Sequence, residues 1–157
     1  RIQMNIEVIS KPAFTVIGRE GSTADGEGLV QRLWVEANAH FDEIAHLVKR
    51  DENGIPAGFW GAMSDFSRAF QPWEDGFSRG LYLAGAECAD DAVAPKGWVR
   101  WMIPGFEYLR AECSTQTVFA DMLQFIKAQK LELCGAVQDF TDPKTGRNYM
   151  LFPINRL

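Results

Sequence analysis

The sequence predicts an α+β fold made of two pseudo-symmetric βαββ halves, and three observations predict it. The order strand, helix, strand, strand is read twice along the 157 residues, in halves of about 1–90 and 91–157. Each half holds one apolar stripe at helical spacing, and the flanking segments are short, β-prone and bounded by turn residues. A chain of this length forms one domain. Identity between the halves is not visible, so the duplication rests on element order.

Residues 2 to 10 alternate Ile2, Met4, Ile6 and Val8 with Gln3, Asn5 and Glu7, the period of a half-buried strand. Lys11-Pro12 breaks the strand, and Ala13 to Arg19 is a second apolar stretch. Residues 21–28 are rich in Gly, Ser, Thr and Asp and read as a loop. From Leu29 to Arg50, Val30, Leu33, Trp34, Ala37, Phe41, Ile44, Ala45 and Val48 recur at spacings of three and four, predicting one helix of about five turns. His40 and His46 flank this stripe without metal-like spacing and are placed on the surface. A strand is expected at about 57–64, a loop bearing three Phe and a Trp at 65–78, a strand at 79–88 and a connection at 89–98. Aromatics in irregular chain are expected to fold down onto the body of the protein, to lid a cleft or to form a contact surface.

In the second half a strand is expected at about 99–112, kinked by Pro104-Gly105. A helix follows at 115–129, capped by Thr115 and buried through Val118, Phe119, Met122, Leu123 and Ile126. Strands at 133–141 and 147–154 flank the turn Asp142-Pro143-Lys144-Thr145-Gly146.

Composition narrows the function. The net charge is −5, and Lys and Arg are scattered in runs no longer than two. A domain that grips nucleic acid through phosphates needs a cationic face, so direct DNA or RNA binding is not expected. Cys88, Cys113 and Cys134 are odd in number and far apart, and only two His are present. Reduced, buried cysteines in a cytoplasmic protein are expected, with neither a disulfide framework nor a metal or other cofactor. No apolar run approaches the ~18 residues of a membrane span. The chain opens Arg1-Ile2-Gln3-Met4, and its alternation runs through Met4, which suggests a C-terminal domain cut from a longer protein.

Short stretches, correctly ordered, carry a resemblance. They are the opening MNIEVISKPAFTVIG, Gly58-Phe59-Trp60-Gly61, Leu81 to Glu87 (LYLAGAE), Trp101 to Tyr108 (WMIPGFEY) and the closing Phe152-Pro153-Ile154. Together they resemble the GyrI-like, AraC-type effector-binding domains of the SOUL-like superfamily. That resemblance implies an antiparallel sheet with two helices flanking a ligand cleft, and a small hydrophobic or cationic ligand, as in multidrug recognition. It implies a sensor that acts on DNA through a fused N-terminal helix-turn-helix domain, and it allows a homodimer. The alternatives are a standalone hydrolase of cyclopropane-bearing electrophiles and a protein-binding inhibitor.

Apolar pockets need aromatic walls and a few orienting polar groups. The candidate walls are Trp34, Trp60, Tyr82, Trp98, Trp101, Tyr108, Phe140 and Phe152, with Trp34 equally readable as core. The family's drug-binding members carry a Glu on the strand after the second helix, and Gln138 takes that place in the best register. A shift of one residue puts Asp139 there, and Glu87 or Glu107 can also supply the charge. For the hydrolase alternative, Glu87 or Glu107 would activate water and Tyr82 or Tyr108 would steady the leaving group. No other catalytic class is supported, and the non-enzymatic reading is favoured.

Overall fold

The computed structural model describes residues 4–157. The start of the first expected strand, Ile2 and Gln3, lies outside the described residues. Eight strands form one antiparallel sheet: β1 (Ile6–Lys11), β2 (Phe14–Ser22), β3 (Phe59–Ser64), β4 (Leu81–Cys88), β5 (Val99–Ile103), β6 (Phe106–Glu112), β7 (Gln138–Thr141) and β8 (Asn148–Arg156). Their order is β1-β6-β8-β7-β3-β4-β2-β5, symmetric about the β7/β3 seam. Helix α1 (Leu29–Ala39) follows β2, the single turn α2 (Glu74–Phe77) follows β3, and α3 (Val118–Ala128) follows β6. The α+β class with two helix-bearing halves is as expected.

Each half of the sheet takes its outermost strand from the other half of the sequence: β5 pairs with β2, and β1 with β6. The expected single strand 99–112 is therefore two strands that do not pair with each other. Pro104-Gly105 carries the chain from one side of the sheet to the other instead of kinking one strand. Pro12-Ala13 makes the matching passage between β1 and β2, first and seventh in the order. A two-residue link spans only about 10 Å, so the sheet must curl until its ends meet. Lys11 of β1 confirms this by reaching Glu87 of β4 at 3.1 Å, although five strand spacings of a flat sheet cover about 24 Å.

The curled face encloses an aromatic core of Phe14, Trp60, Trp101, Phe106 and Tyr108 with Leu83 and Leu151. Both helices pack on the other face. Leu29, Leu33 and Ala37 of α1 lie against Ile17, Tyr82, Ala84 and Ala86. Val118, Met122 and Ile126 of α3 lie against Leu109, Ala111 and Phe152, with Phe119 and Leu123 partly buried beside them.

Four further expectations are corrected. The 29–50 stripe is not one helix: α1 ends at Ala39, and two 3-10 turns, Phe41–Glu43 and Ala45–Leu47, continue it. Burial of Ile44 and Val48 preserves the stripe, while Lys49 N–H donates to Glu87 C=O and Ala89 N–H to Leu47 C=O, which ties this segment to the end of β4. Thr115 does not cap α3, since the N-cap position is Thr117. Residues 133–137 are irregular because their backbone is claimed elsewhere: Cys134 N–H donates to Pro153 C=O and Ala136 N–H to Phe70 C=O. Of the cysteines only Cys88 is buried, and Cys113 is exposed. His40 and His46 are exposed, as expected.

The aromatic loop does fold down. Phe66 and Phe70 pack on the inner core, Trp73 on the α1-side core, and Phe77 meets Phe119 edge-on at 5.2 Å. Among the described residues no helix is long and apolar enough to cross a membrane.

Candidate ligand cleft

Strand alternation decides which side chains reach the space between the helices. On the helix-bearing face of the β3/β7 seam, the register places Phe59 opposite Thr141 and Gly61 opposite Asp139. Met63 and Val137 extend this row, packed into the cores beneath α1 and α3 respectively. Trp60, Ala62, Gln138 and Phe140 point to the inner face.

A cavity of about 270 Å³ opens beside α1, walled by Trp34, Phe41, Phe59, Ile44 and Trp98, with Gly85 and Thr141 on the sheet. Trp98 is held rigidly. Its indole N–H donates to Glu43 at 2.8 Å, and the Arg19 guanidinium covers its ring at 4.4 Å while lying 3.6 Å from Glu43. A second cavity of about 120 Å³ lies toward α3, lined by Met63, Trp73, Phe77, Phe119, Val137 and Met150.

Between the two stands a polar chain. Trp34 Nε1–H donates to Tyr82 Oη at 3.0 Å, and Tyr82 Oη–H donates to Asp139 Oδ2 at 3.4 Å. Gly61 makes this crossing possible, because a Cβ there would lie 2.0 Å from the Tyr82 hydroxyl. Burial pushes the Asp139 carboxyl from 3.8 up to about 6, and the Tyr82 hydrogen bond only partly opposes it. Burial, together with the Asp139 charge, raises the Tyr82 phenol far above its ordinary value, so it remains a donor. The cleft therefore offers one titratable carboxylate, one phenol and aromatic walls.

The structure brings Trp34, Tyr82 and Trp98 to this cleft, together with Asp139, the other reading of the strand register. The remaining candidates lie elsewhere. Trp60 packs between Phe14 and Phe140, each ring 4.7 Å away, on the inner face. Trp101 is also inside, donating to Glu20 at 3.2 Å. Tyr108 is wholly buried, its hydroxyl without a partner among the described residues. Phe152 lies in the core beneath α3. Glu107 accepts from Asn155 at 2.7 Å on β6, away from the seam. Gln138 is buried and spent on backbone: its Oε1 accepts from Met63 N–H at 3.2 Å, and its Nε2 donates to the carbonyls of Met63 and Ala136. It replaces the ladder where β3–β7 pairing stops.

Glu87 is 4% exposed and bonds Lys11 Nζ at 3.1 Å and Trp60 Nε1–H at 3.2 Å. It ties the edge strand β1 to the interior strands β3 and β4 across the curl of the sheet. Glu87→Ala leaves a partly buried ammonium and an indole N–H unpaired, at a cost of about 2–4 kcal/mol. The expected result is a melting temperature roughly 5–15 °C lower with ligand affinity within about twofold of wild type, read by thermal melts and titration side by side. A large affinity loss without destabilisation would place Glu87 in the site.

Sequence reasoning missed Phe41, Phe59, Met63, Phe77 and Phe119. One signal was present for Phe59: a strand glycine marks close approach of another group, and Phe59 shares a face with Gly61.

No protein-family model matches the chain, and no curated protein matches it in sequence. Solved structures do match it in shape. The C-terminal domain of EcmrR superposes with a TM-score of 0.67 at 9% identity, covering 99% of this chain and 100% of that one. EcmrR in its DNA complex gives the same TM-score at 8% identity, and this chain covers 98% of its own length but spans only 58% of that protein. SAV2435, solved bound to tetraphenylphosphonium, superposes at 0.64 with 14% identity over 97% of this chain and 94% of that one. A hydrolase from Listeria innocua superposes at 0.53 with 15% identity, covering 96% and 92%. The chain thus shares its fold with these solved structures, the C-terminal domain of EcmrR and SAV2435 among them.

Proposed function

We propose that this chain is a GyrI-like sensor domain that binds a hydrophobic cation between its helices and acts on transcription through a linked DNA-binding domain. The observation that carries the reading is Asp139. It is a largely buried carboxylate whose only side-chain hydrogen-bonding partner among the described residues is a phenol, and it shares a sheet face with Phe59 and Thr141 of the aromatic-walled cavity. An ionised carboxylate is costly in such a place unless a cation joins it, and the ring faces add about 0.5–2 kcal/mol of cation–π attraction. SAV2435 holding tetraphenylphosphonium and EcmrR engaging DNA support the two parts of the reading. The domain's own charge of −5 is unsuited to gripping DNA, which supports a role for a linked domain in that contact. Useful regulation needs the ligand to favour one state of the linked protein by about 1–3 kcal/mol.

Tryptophan-fluorescence titration tests this, because Trp34 and Trp98 line the larger cavity. Tetraphenylphosphonium is expected to quench saturably, with affinity at least about tenfold above a neutral aromatic of matched size. The same titration with a cyclopropane-bearing electrophile, followed by mass spectrometry, is expected to show no ring opening. Catalytic turnover lost on replacing Asp139 or Tyr82 would make the protein a hydrolase instead, with Asp139 as base and Tyr82 as acid.

A further inference from the structure

We infer that the ligand is an elongated cation, its charge at Asp139 and its two apolar arms of unequal size entering the two cavities on either side. This rests on the cleft being the ligand site, and it goes beyond that reading by fixing the ligand's shape. Phe59 and Thr141 belong to the larger cavity, Met63 and Val137 to the smaller, and Gly61 with Asp139 lies between them. Successive same-face positions on a strand are about 7 Å apart, so a cation at the carboxylate sits one short linker from either cavity.

Size sets the arms. An apolar cavity of about 150 Å³ accepts benzene, so 120 Å³ is at the limit for a single ring or a branched alkyl group, and 270 Å³ suits two fused rings. The linings agree with this division. The larger cavity has flat indole and phenyl walls, with Trp98 clamped from behind. The smaller one has Met63 and Met150, thioethers that adapt to an arm's shape. Its Phe77 belongs to α2, where Asp75, Gly76 and Phe77 all have positive φ (51°, 66° and 66°). An L-residue is strained in that region, so this wall is held by contacts such as Phe77 on Phe119.

The experiment compares trimethyl(naphthylmethyl)ammonium, with one arm, against benzyldimethyl(naphthylmethyl)ammonium, with two, by isothermal titration. The second arm is expected to raise affinity at least about tenfold in the wild type, since burying a ring is worth about 1.5–3 kcal/mol. Val137→Phe fills the smaller cavity and should cut the ratio of two-arm to one-arm affinity to about twofold or less. Phe77→Ala widens the cavity and should turn the preference toward a bis(naphthylmethyl) probe, a test that stands even where Val137→Phe fails to fold. The methyl resonances of Met63 and Met150 should shift with the two-armed probe only. A gain below about twofold in the wild type, with the one-armed probe still binding, overturns the two-armed ligand and leaves the cation site standing. Failure of both probes to bind overturns both.

Discussion

Replacing Asp139 by Asn is expected to lower affinity for tetraphenylphosphonium by about 10- to 100-fold while leaving the protein at least as stable. Removing one partner of a buried charge pair costs about 2–5 kcal/mol, and the aromatic walls retain part of the attraction. The pH dependence gives the more discriminating result. With its pKa at about 6 in the folded chain, against 3.8 ordinarily, Asp139 binds a cation only once ionised. Affinity should fall about tenfold per pH unit below 6 and level off above about 7, whereas a neutral ligand should show no such slope. Stability runs the opposite way. The folded state holds this proton more tightly than the unfolded chain, so the Asp139 contribution is full below about pH 4 and is lost as pH rises toward 6. That loss is of the order of 1–3 kcal/mol. Asn cannot ionise, so the variant should lose both slopes and be the more stable protein at pH 8. A cation affinity that stays flat from pH 5 to 8 in the wild type would remove Asp139 from the site.

Substituting Ala for Gly85 should be the most damaging small change in the molecule, by about 3 kcal/mol or more, or roughly 6–12 °C in melting temperature. Gly85 is paired with Gly18 across β2 and β4. A Cβ on Gly85 would lie 2.1 Å from Ile17 O, and one on Gly18 would lie 2.4 Å from Ala84 O. These obstacles are backbone inside a sheet, with strands paired on both sides of β4 and of β2, so nothing swings aside. Gly85 also lies on the sheet side of the larger cavity, and forcing the strands apart should reduce ligand affinity too. Gly26→Ala is the contrast. That residue has a φ of 101° and open space around it, so only backbone strain is added, about 1–3 kcal/mol. Urea melts of the two variants separate the effects. Equal, small losses would mean that β2 and β4 can part without cost.

Much of the fold was legible because local signals agreed with it. Alternation through Ile6, Glu7 and Val8 and the Asp142–Gly146 turn announced β1 and the β7–β8 hairpin, although it is Ile9 that packs inside and Val8 is exposed, and the stripes from Leu29 and Val118 announced both helices. The helix at 29–50 was over-read. Periodicity marks which side chains are buried, and Ile44 and Val48 are buried, but 3-10 turns bury the same positions in a chain pulled toward β4. The site was half legible. Trp34, Tyr82 and Trp98 stood out as aromatics, yet so did Trp60, Trp101 and Tyr108, whose rings are as large and whose strands read the same.

The sequence by itself determined the α+β class, the element order, the excess of aromatics and an acidic charge unsuited to gripping DNA. Tertiary structure alone decided which strands share an edge, and that Glu87 points inside the curled sheet while Asp139 lies on its helix-bearing face. The physical reason is the period of a β-strand. Neighbouring residues point to opposite faces, so Gln138 and Asp139 differ in role by one step of register. That step is fixed by the partner strand, in the pairing of Gly61 with Asp139.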